Sequence, residues 1–149
     1  MSWQVSLVME PTLVSVRRAA VVFKAAIADF GTQETRQELE LAFVEACTNS
    51  AVHGSSERSA PAIRVSLEIA PAEIEIVVED SGQPFDPFKQ ERPIDFDDIE
   101  SLPCGGFGLS LIRRICDKVD YEHNGQGNRL TLRKCLADSR ASAHSTGGD

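Results

Sequence analysis

The stretch from Glu40 to Gly54, ELAFVEACTNSAVHG, decides the fold of this chain. Its apolar residues recur at the spacing of an amphipathic helix. Glu45, Asn49 and His53 follow one another every four residues on a polar line beside the apolar stripe. An acid and an amide one helical turn apart suit a site in which the carboxylate activates a hydroxyl group and the amide binds a hard cation such as Mg²⁺. Taken alone, such a line is more typical of the solvent-facing edge of a helix.

Apolar patterns on both sides of this helix predict the remaining elements. Alternating apolar residues predict strands, and apolar residues three or four apart predict helices. The patterns predict a strand around residues 3–7, a helix at 13–30, a helix opened by the capping box Thr35–Glu38, a hairpin at 63–69 and 74–78, a helix at 107–118, and a hairpin at 119–123 and 129–134. They indicate an α+β fold, a two-layer α/β sandwich whose mixed, mostly antiparallel sheet carries its helices on one face.

The composition is that of an acidic single domain. At 149 residues the chain is long enough for one sizeable core. Its net charge of −8 argues against direct nucleic-acid binding, because a phosphate-backbone binder needs a basic face. The sequence has no signal-peptide or membrane-spanning pattern and no C-x-x-C pair, so we expect a cytoplasmic protein with reduced thiols and no membrane contact. The folded domain is expected to span residues 1–136, and the polar tail 137–149 is expected to be disordered.

A second motif, VVEDSGQPFD (residues 77–86), ends a predicted strand in Asp80 and turns through Ser81 and Gly82. Such a turn is also common where no ligand binds. In a nucleotide site, the carboxylate of Asp80 could accept a hydrogen bond from an exocyclic amine such as N6 of adenine. Gly82 would let that base approach the backbone closely.

The third motif, CGGFGLSLIRRICDKV (residues 104–119), follows a proline-rich acidic segment, Gln83 to Cys104, without a periodic pattern. Long segments of this kind are typical of a lid, a binding loop or disorder. Gly105, Gly106 and Gly108 then open an amphipathic helix, whose free amides and positive dipole end form an anion site. The alternative is a merely flexible helix start. No Lys-Ser/Thr pair follows the glycines and no strand precedes them, which excludes a P-loop and a dinucleotide fingerprint.

Together the three motifs carry a family resemblance. E-x-x-x-N on a helix, D-x-G after a strand and G-G-x-G-L at a helix start resemble, in order and separation, the N, G1 and G2 boxes of the GHKL ATPases, which have the Bergerat ATP-binding fold. Within that superfamily, ELELAFVEACTNSAVHG and GGFGLSLIRRICDKVDYE…GNRLTLRK are similar to the anti-sigma-factor serine/threonine protein kinases of bacteria. The resemblance covers about residues 5–135, and it implies ATP and Mg²⁺ as cofactors.

Carried over position by position, the resemblance implies roles for the motif residues. It implies Glu45 as the general base, Asn49 as the Mg²⁺ ligand and residues 83–104 as the ATP lid. His53 is expected to have a capping or structural role. The implied nucleotide-binding residues are Asn49, Asp80 at the adenine amine, Gly82 in the same pocket, Thr131 supporting that pocket through water, and Gly105, Gly106, Gly108 and Leu109 at the phosphates.

Two positions depart from the family pattern. Many relatives have a basic residue where Cys104 stands, so that Arg92 or Arg113 would have to supply the charge. Ser50 replaces the usual Ala beside the metal ligand.

The function implied by the resemblance is that of an anti-sigma factor with kinase activity. The expected substrate is a STAS-domain anti-sigma-factor antagonist, the expected second partner is a sigma factor, and the expected form is a homodimer. Two alternatives stay open: a non-catalytic ATP-binding module that acts by binding a partner, and an ATP-binding partner of a histidine phosphorelay. The sequence shows no helical-hairpin phospho-acceptor domain, which argues against autonomous histidine kinase activity.

Overall fold

Three helices and five strands form the part of the chain that the structure, a computed structural model, describes: residues 1–53, 62–84 and 108–136. The predicted tail 137–149 and nearly all of the predicted lid lie outside these ranges. In chain order the elements are β1 (Trp3–Met9), α1 (Leu13–Ala26), α2 (Gln33–His53), β2 (Ile63–Ile69), β3 (Glu73–Asp80), α3 (Gly108–Ile115), β4 (Lys118–His123) and β5 (Asn128–Cys135).

The five strands form one sheet in the order β1-β2-β3-β5-β4. All neighbouring pairs are antiparallel, so the described sheet is antiparallel throughout and not mixed. In β2 the odd-numbered residues from Ile63 to Ile69 are buried and the even-numbered ones are exposed, because successive side chains of a strand face opposite sides. One face of the sheet packs against the helices, which confirms the predicted two-layer α+β architecture.

The helices pack on that face through large apolar side chains. Phe23 of α1 and Phe43 of α2 are fully buried, and their rings stack with centroids 4.2 Å apart. The core continues into the sheet through residues such as Leu67, Ile76 and Leu132. Truncating a buried phenyl ring costs about 3–5 kcal/mol. The stacked pair therefore holds α2 against α1, and the shared core holds α2 on the sheet together with the polar line that it carries.

Both long helices begin at a threonine cap. Oγ1 of Thr12 accepts a hydrogen bond from the Ser15 amide at 3.1 Å, and Oγ1 of Thr32 accepts one from the Thr35 amide at 3.1 Å. The predicted capping box at Thr35 is therefore wrong, because Thr35 already lies in the first turn of α2. The earlier start follows from Gly31, whose φ of 60° turns the chain directly before Thr32.

The sheet face opposite the helices is charged. It carries cross-strand ion pairs of Arg133 with Glu75 at 2.6 Å and of Arg129 with Glu79 at 3.5 Å. Pairs on an exposed surface contribute at most about 1 kcal/mol each, so these two ion pairs add little to the stability of the sheet. Within the described ranges, the helices are all too short or too polar to cross a lipid bilayer.

Candidate functional site

The polar line of α2 lies at the border between core and surface. Glu45 and Asn49 are half-buried, Ser50 is buried, and His53 at the helix end is exposed. Burial raises the pKa of the Glu45 carboxyl, because a charge is less stable away from water. A carboxylate with a raised pKa accepts a proton from a hydroxyl group more readily than an ordinary exposed glutamate does.

A tight turn at the end of β3 orients the Asp80 side chain. Oδ1 of Asp80 accepts a hydrogen bond from the backbone N–H of Gly82 at 2.9 Å, the pattern of an Asx turn. Gly82 is buried. Asp80 alternates in step with the buried Ile76 and Val78, so it lies on the side of the sheet that faces the helices.

Asn128, directly opposite Asp80 in the β3–β5 register, holds the same carboxylate from the neighbouring strand. Its side-chain amide donates to Oδ1 of Asp80 and to the backbone carbonyl of Gln83, each at 2.8 Å. Its carbonyl oxygen accepts a hydrogen bond from the Tyr121 hydroxyl and lies 3.2 Å from Nδ1 of His123. Asn128 is only 8% exposed. It therefore connects the end of β3, the chain after the turn, and β4.

Gly127 lets the strand ends approach each other at this point. A Cβ atom there would overlap the backbone carbonyl oxygen of Asp80 and lie 3.0 Å from Cα of Ser81. Any larger residue would have to shift the backbone. The turn after β4 is therefore packed directly against the Asp80 turn.

Thr131 does not lie beside Asp80, where we expect it from the sequence to support the adenine pocket. It pairs with Val77, three residues before Asp80, and it alternates in step with the exposed Arg129 and Arg133. Since alternate residues of a strand face opposite sides of the sheet, Thr131 faces away from the side that carries Asp80. The predicted role of Thr131 in the adenine pocket conflicts with this geometry.

The third motif is described only in part. α3 begins at Gly108, with Leu109 as its second residue, and its first turn carries no acidic side chain. This leaves the positive end of the helix dipole without a negative side chain in that turn. Gly105 and Gly106, like Cys104 and Arg92, lie outside the described residues.

The C-terminal end of α3 is tied to the far end of the sheet. Nζ of Lys134 donates to the Ile115 carbonyl at 2.9 Å, and the Asp117 amide donates to the Arg133 carbonyl at 2.8 Å. These contacts lie at the C-terminal end of β5, whereas Asp80 pairs with its first residue. The N-terminal end of α3, which begins at Gly108, is therefore the end that lies away from these contacts.

The described side chains suit a Mg²⁺ ion that binds together with a nucleotide. Within the described ranges, no group of three or more His, Cys, Asp or Glu side chains could hold a metal ion. The half-buried Asn49 offers an amide oxygen, and Mg²⁺ commonly takes one or two protein oxygens together with water and substrate phosphates. Asn49 thus suits an Mg²⁺ ion brought in by a nucleotide.

The sequence patterns assign residues 124–128 only to a turn and miss the role of Asn128 beside Asp80. The usable signal is the strand register, because the residue paired with the last position of β3 shares its face of the sheet. Tyr121 is found by the same rule, since it lies two residues before the end of β4, on the same face as His123. Neither residue type signals a nucleotide site by itself.

Comparison with known proteins gives one family. Residues 9–134 match the family model of the histidine kinase-like ATPase domain. The chain is 34% identical over 135 residues to the serine-protein kinase RsbW of Listeria monocytogenes, covering 88% of this chain and 85% of that protein. It is 31% identical over 114 residues to the serine-protein kinase RsbW of Oceanobacillus iheyensis, covering 70% and 68%. It is also 28% identical over 106 residues to the anti-sigma F factor of Clostridium novyi, covering 70% and 74%.

Solved structures share the fold. The RsbU and RsbW domains of a Mycobacterium tuberculosis protein superpose with a TM-score of 0.65 at 17% identity, over 90% of this chain and 32% of that one. The catalytic domain of the histidine kinase ThkA superposes with a TM-score of 0.53 at 15% identity, over 88% and 95%. The fold is thus that of a histidine kinase-like ATPase domain. Within this GHKL superfamily, the chain belongs to the family of anti-sigma-factor serine-protein kinases.

Proposed function

We propose that this protein is an ATP-dependent serine/threonine protein kinase that acts as an anti-sigma factor. The observation that carries the proposal is the oriented carboxylate of Asp80 on the helical side of the sheet. Among the described residues, both hydrogen bonds that this carboxylate accepts end on Oδ1. Oδ2 is therefore available as an acceptor for the amino group of adenine.

Glu45 and Asn49 supply the chemistry that phosphoryl transfer requires from the protein. Glu45, with its raised pKa, is the proposed base that takes the proton of the attacking hydroxyl. Asn49 is the proposed ligand of Mg²⁺, an ion that neutralises charge on the phosphates when bound. Gly108 and Leu109 lie at the start of α3, where free backbone amides favour phosphate oxygens.

The proposed substrate is a serine or threonine hydroxyl of a STAS-domain anti-sigma-factor antagonist, and the proposed second partner is a sigma factor. The names of the relatives, serine-protein kinase and anti-sigma F factor, support a serine hydroxyl as acceptor and a sigma factor as partner. The STAS domain of the antagonist is proposed from the family resemblance of the sequence motifs. The protein is proposed to act as a homodimer. The exposed Val14 and Val21 of α1, together with β1 at the edge of the sheet, support such a contact. Light scattering that gives the 16.3 kDa mass of one chain at working concentration would contradict it.

A melting experiment tests the nucleotide site without a partner. ATP with Mg²⁺ at ~100 times its Kd should stabilise a one-site binder by roughly 2.7 kcal/mol through mass action. We expect a clear rise in melting temperature, and we expect Asp80→Ala to remove most of it. A wild-type melting temperature that ATP does not change would reject the nucleotide-binding function altogether.

A further inference from the structure

We propose that Asn128 is the positioning residue of the nucleobase site. It holds the Asp80 carboxylate in the orientation that selects adenine, and Tyr121 and His123 hold Asn128 in turn. The inference rests on the proposed function, because it takes Asp80 as the group that meets the base.

The side-chain amide of Asn128 has one orientation that suits its surroundings. Its nitrogen faces two acceptors, the Asp80 carboxylate and the Gln83 carbonyl, each at 2.8 Å. Its oxygen faces the Tyr121 hydroxyl and Nδ1 of His123. Exchanging the two ends would place an oxygen against two other oxygens in a site that is only 8% exposed. The amide is therefore fixed from both sides.

A fixed Asn128 restricts Asp80 to one direction. The Gly82 amide and the Asn128 amide both donate to Oδ1, and two bonds to one oxygen determine where Oδ2 points. Without Asn128, one of these bonds is lost and the carboxylate gains freedom to turn. The effect on base selectivity should pass through Asp80, because Asp80 is the group proposed to meet the base.

The direction of Oδ2 matters because a carboxylate only accepts hydrogen bonds. Adenine carries an amino group at position 6, whereas guanine carries a carbonyl oxygen there. An oriented carboxylate therefore favours adenine and repels guanine, and a mobile one discriminates less. The structure thus ties base selectivity to Asn128, which would not itself contact the base.

The experiment compares Asn128→Ala with Asn124→Ala. Asn124 lies in the same hairpin, is exposed, and bonds the amide of Gln126 instead of Asp80. Dissociation constants for ATP, GTP and inorganic tripolyphosphate are measured by calorimetry. We expect Asn128→Ala to weaken ATP binding about tenfold, because ATP binding must then also order an Asp80 carboxylate that is no longer held, and to reduce the ratio of ATP to GTP affinity. Tripolyphosphate binding should not change, and Asn124→Ala should change none of the three constants.

Three results would overturn the inference. Asn128→Ala could bind ATP and GTP as the wild type does. It could weaken all three ligands equally, which would indicate a structural role only. In the Asp80→Asn background it could reduce base selectivity as much as it does alone, although a residue acting through Asp80 should then have no further effect.

If Asn128→Ala does not fold, the same binding measurements are made on Tyr121→Phe. This variant removes one donor to the Asn128 oxygen and retains the bond to Asp80, so we expect a smaller loss of ATP selectivity in the same direction. Unchanged selectivity in Tyr121→Phe would contradict the proposed chain of contacts. A wild-type protein that binds tripolyphosphate but not ATP would refute the proposed function itself, whereas normal wild-type binding with unaffected variants would refute this inference alone.

Discussion

Glu45, the proposed general base, is a half-buried carboxyl whose charge costs stability. Burial raises the pKa of its carboxyl in the folded protein above the value in the unfolded chain. Such a group contributes stability that is fully present below the unfolded pKa of about 4.3 and is lost as the pH rises through the folded pKa. At neutral pH the ionised Glu45 therefore lowers the free energy of unfolding, a pattern common at functional sites.

We predict that Glu45→Gln stabilises the ligand-free protein at pH 7 to 8, because it removes a partly buried charge. The gain should shrink toward zero at about pH 3, below the unfolded pKa of about 4.3, where the wild-type carboxyl is protonated in both states. Urea unfolding at both pH values measures the difference. Glu38→Gln, at an exposed position of the same helix, is the control and should change little at either pH. A Glu45→Gln protein less stable than the wild type at pH 7 would disprove the assignment of Glu45 as a desolvated carboxylate.

Gly127 is a second residue whose substitution should have a measurable effect. We predict that Gly127→Ala destabilises the fold by roughly 1–3 kcal/mol, the range for overpacked sites, and weakens ATP binding, because the new Cβ pushes on the backbone of Asp80. Unfolding and calorimetry measure the two effects. Gly125→Asn is the control: Gly125 has a φ of 81° that asparagine tolerates, and no atom lies within 4 Å of its added Cβ. Equal effects of both variants would argue against close packing at Asp80.

The start of helix α2 determines where its functional side chains lie. α2 runs from Gln33 to His53 and carries the proposed base and metal ligand, so its register depends on where it begins. The cap at Thr32 and the stacked Phe23 and Phe43 both fix this register. A shift of α2 by one residue would turn Glu45 and Asn49 by about 100° around the helix axis.

The cap predicts a measurable difference between two threonines. Thr32→Ala should lower the free energy of unfolding by about 1 kcal/mol, the usual effect of losing an N-cap side chain. Thr35→Ala should cost clearly less, because it removes only the contact between the Thr35 and Thr32 hydroxyls at 3.0 Å. Chemical denaturation of both variants decides which threonine caps α2. A larger loss for Thr35→Ala would restore the capping box that the sequence pattern predicts.

The arrangement of the domain could be predicted from the sequence where side-chain periodicity determines it. The strict alternation from Ile63 to Ile69 and the helical spacing around Phe43 leave little choice of element type. The pairing partner of Asp80 could not be predicted in this way. It depends on the register of β3 against β5, two strands that no hairpin turn joins, and a shift of three positions separates Asn128 from Thr131.

The domain carries the proposed general base, Glu45, on α2 and the turn proposed to recognise adenine, at Asp80, on β3. α2 packs on the sheet through the core, whereas the Asp80 turn is held by β5 and β4. The two halves of the site therefore depend on different contacts. Changes at Asn128 should alter nucleotide affinity, and changes at Glu45 should alter the rate of transfer.

The transfer of phosphate itself tests the account most directly. The protein is mixed with Mg²⁺, ATP labelled in its γ-phosphate, and a STAS-domain antagonist encoded in the same genome. We predict acid-stable label on a serine or threonine of the antagonist, and a rate about 10²–10⁴ times lower for Glu45→Gln at similar ATP affinity, the usual contribution of a general base. Transfer by Glu45→Gln at the wild-type rate, acid-labile label on a histidine, or ATP binding without transfer would each contradict it.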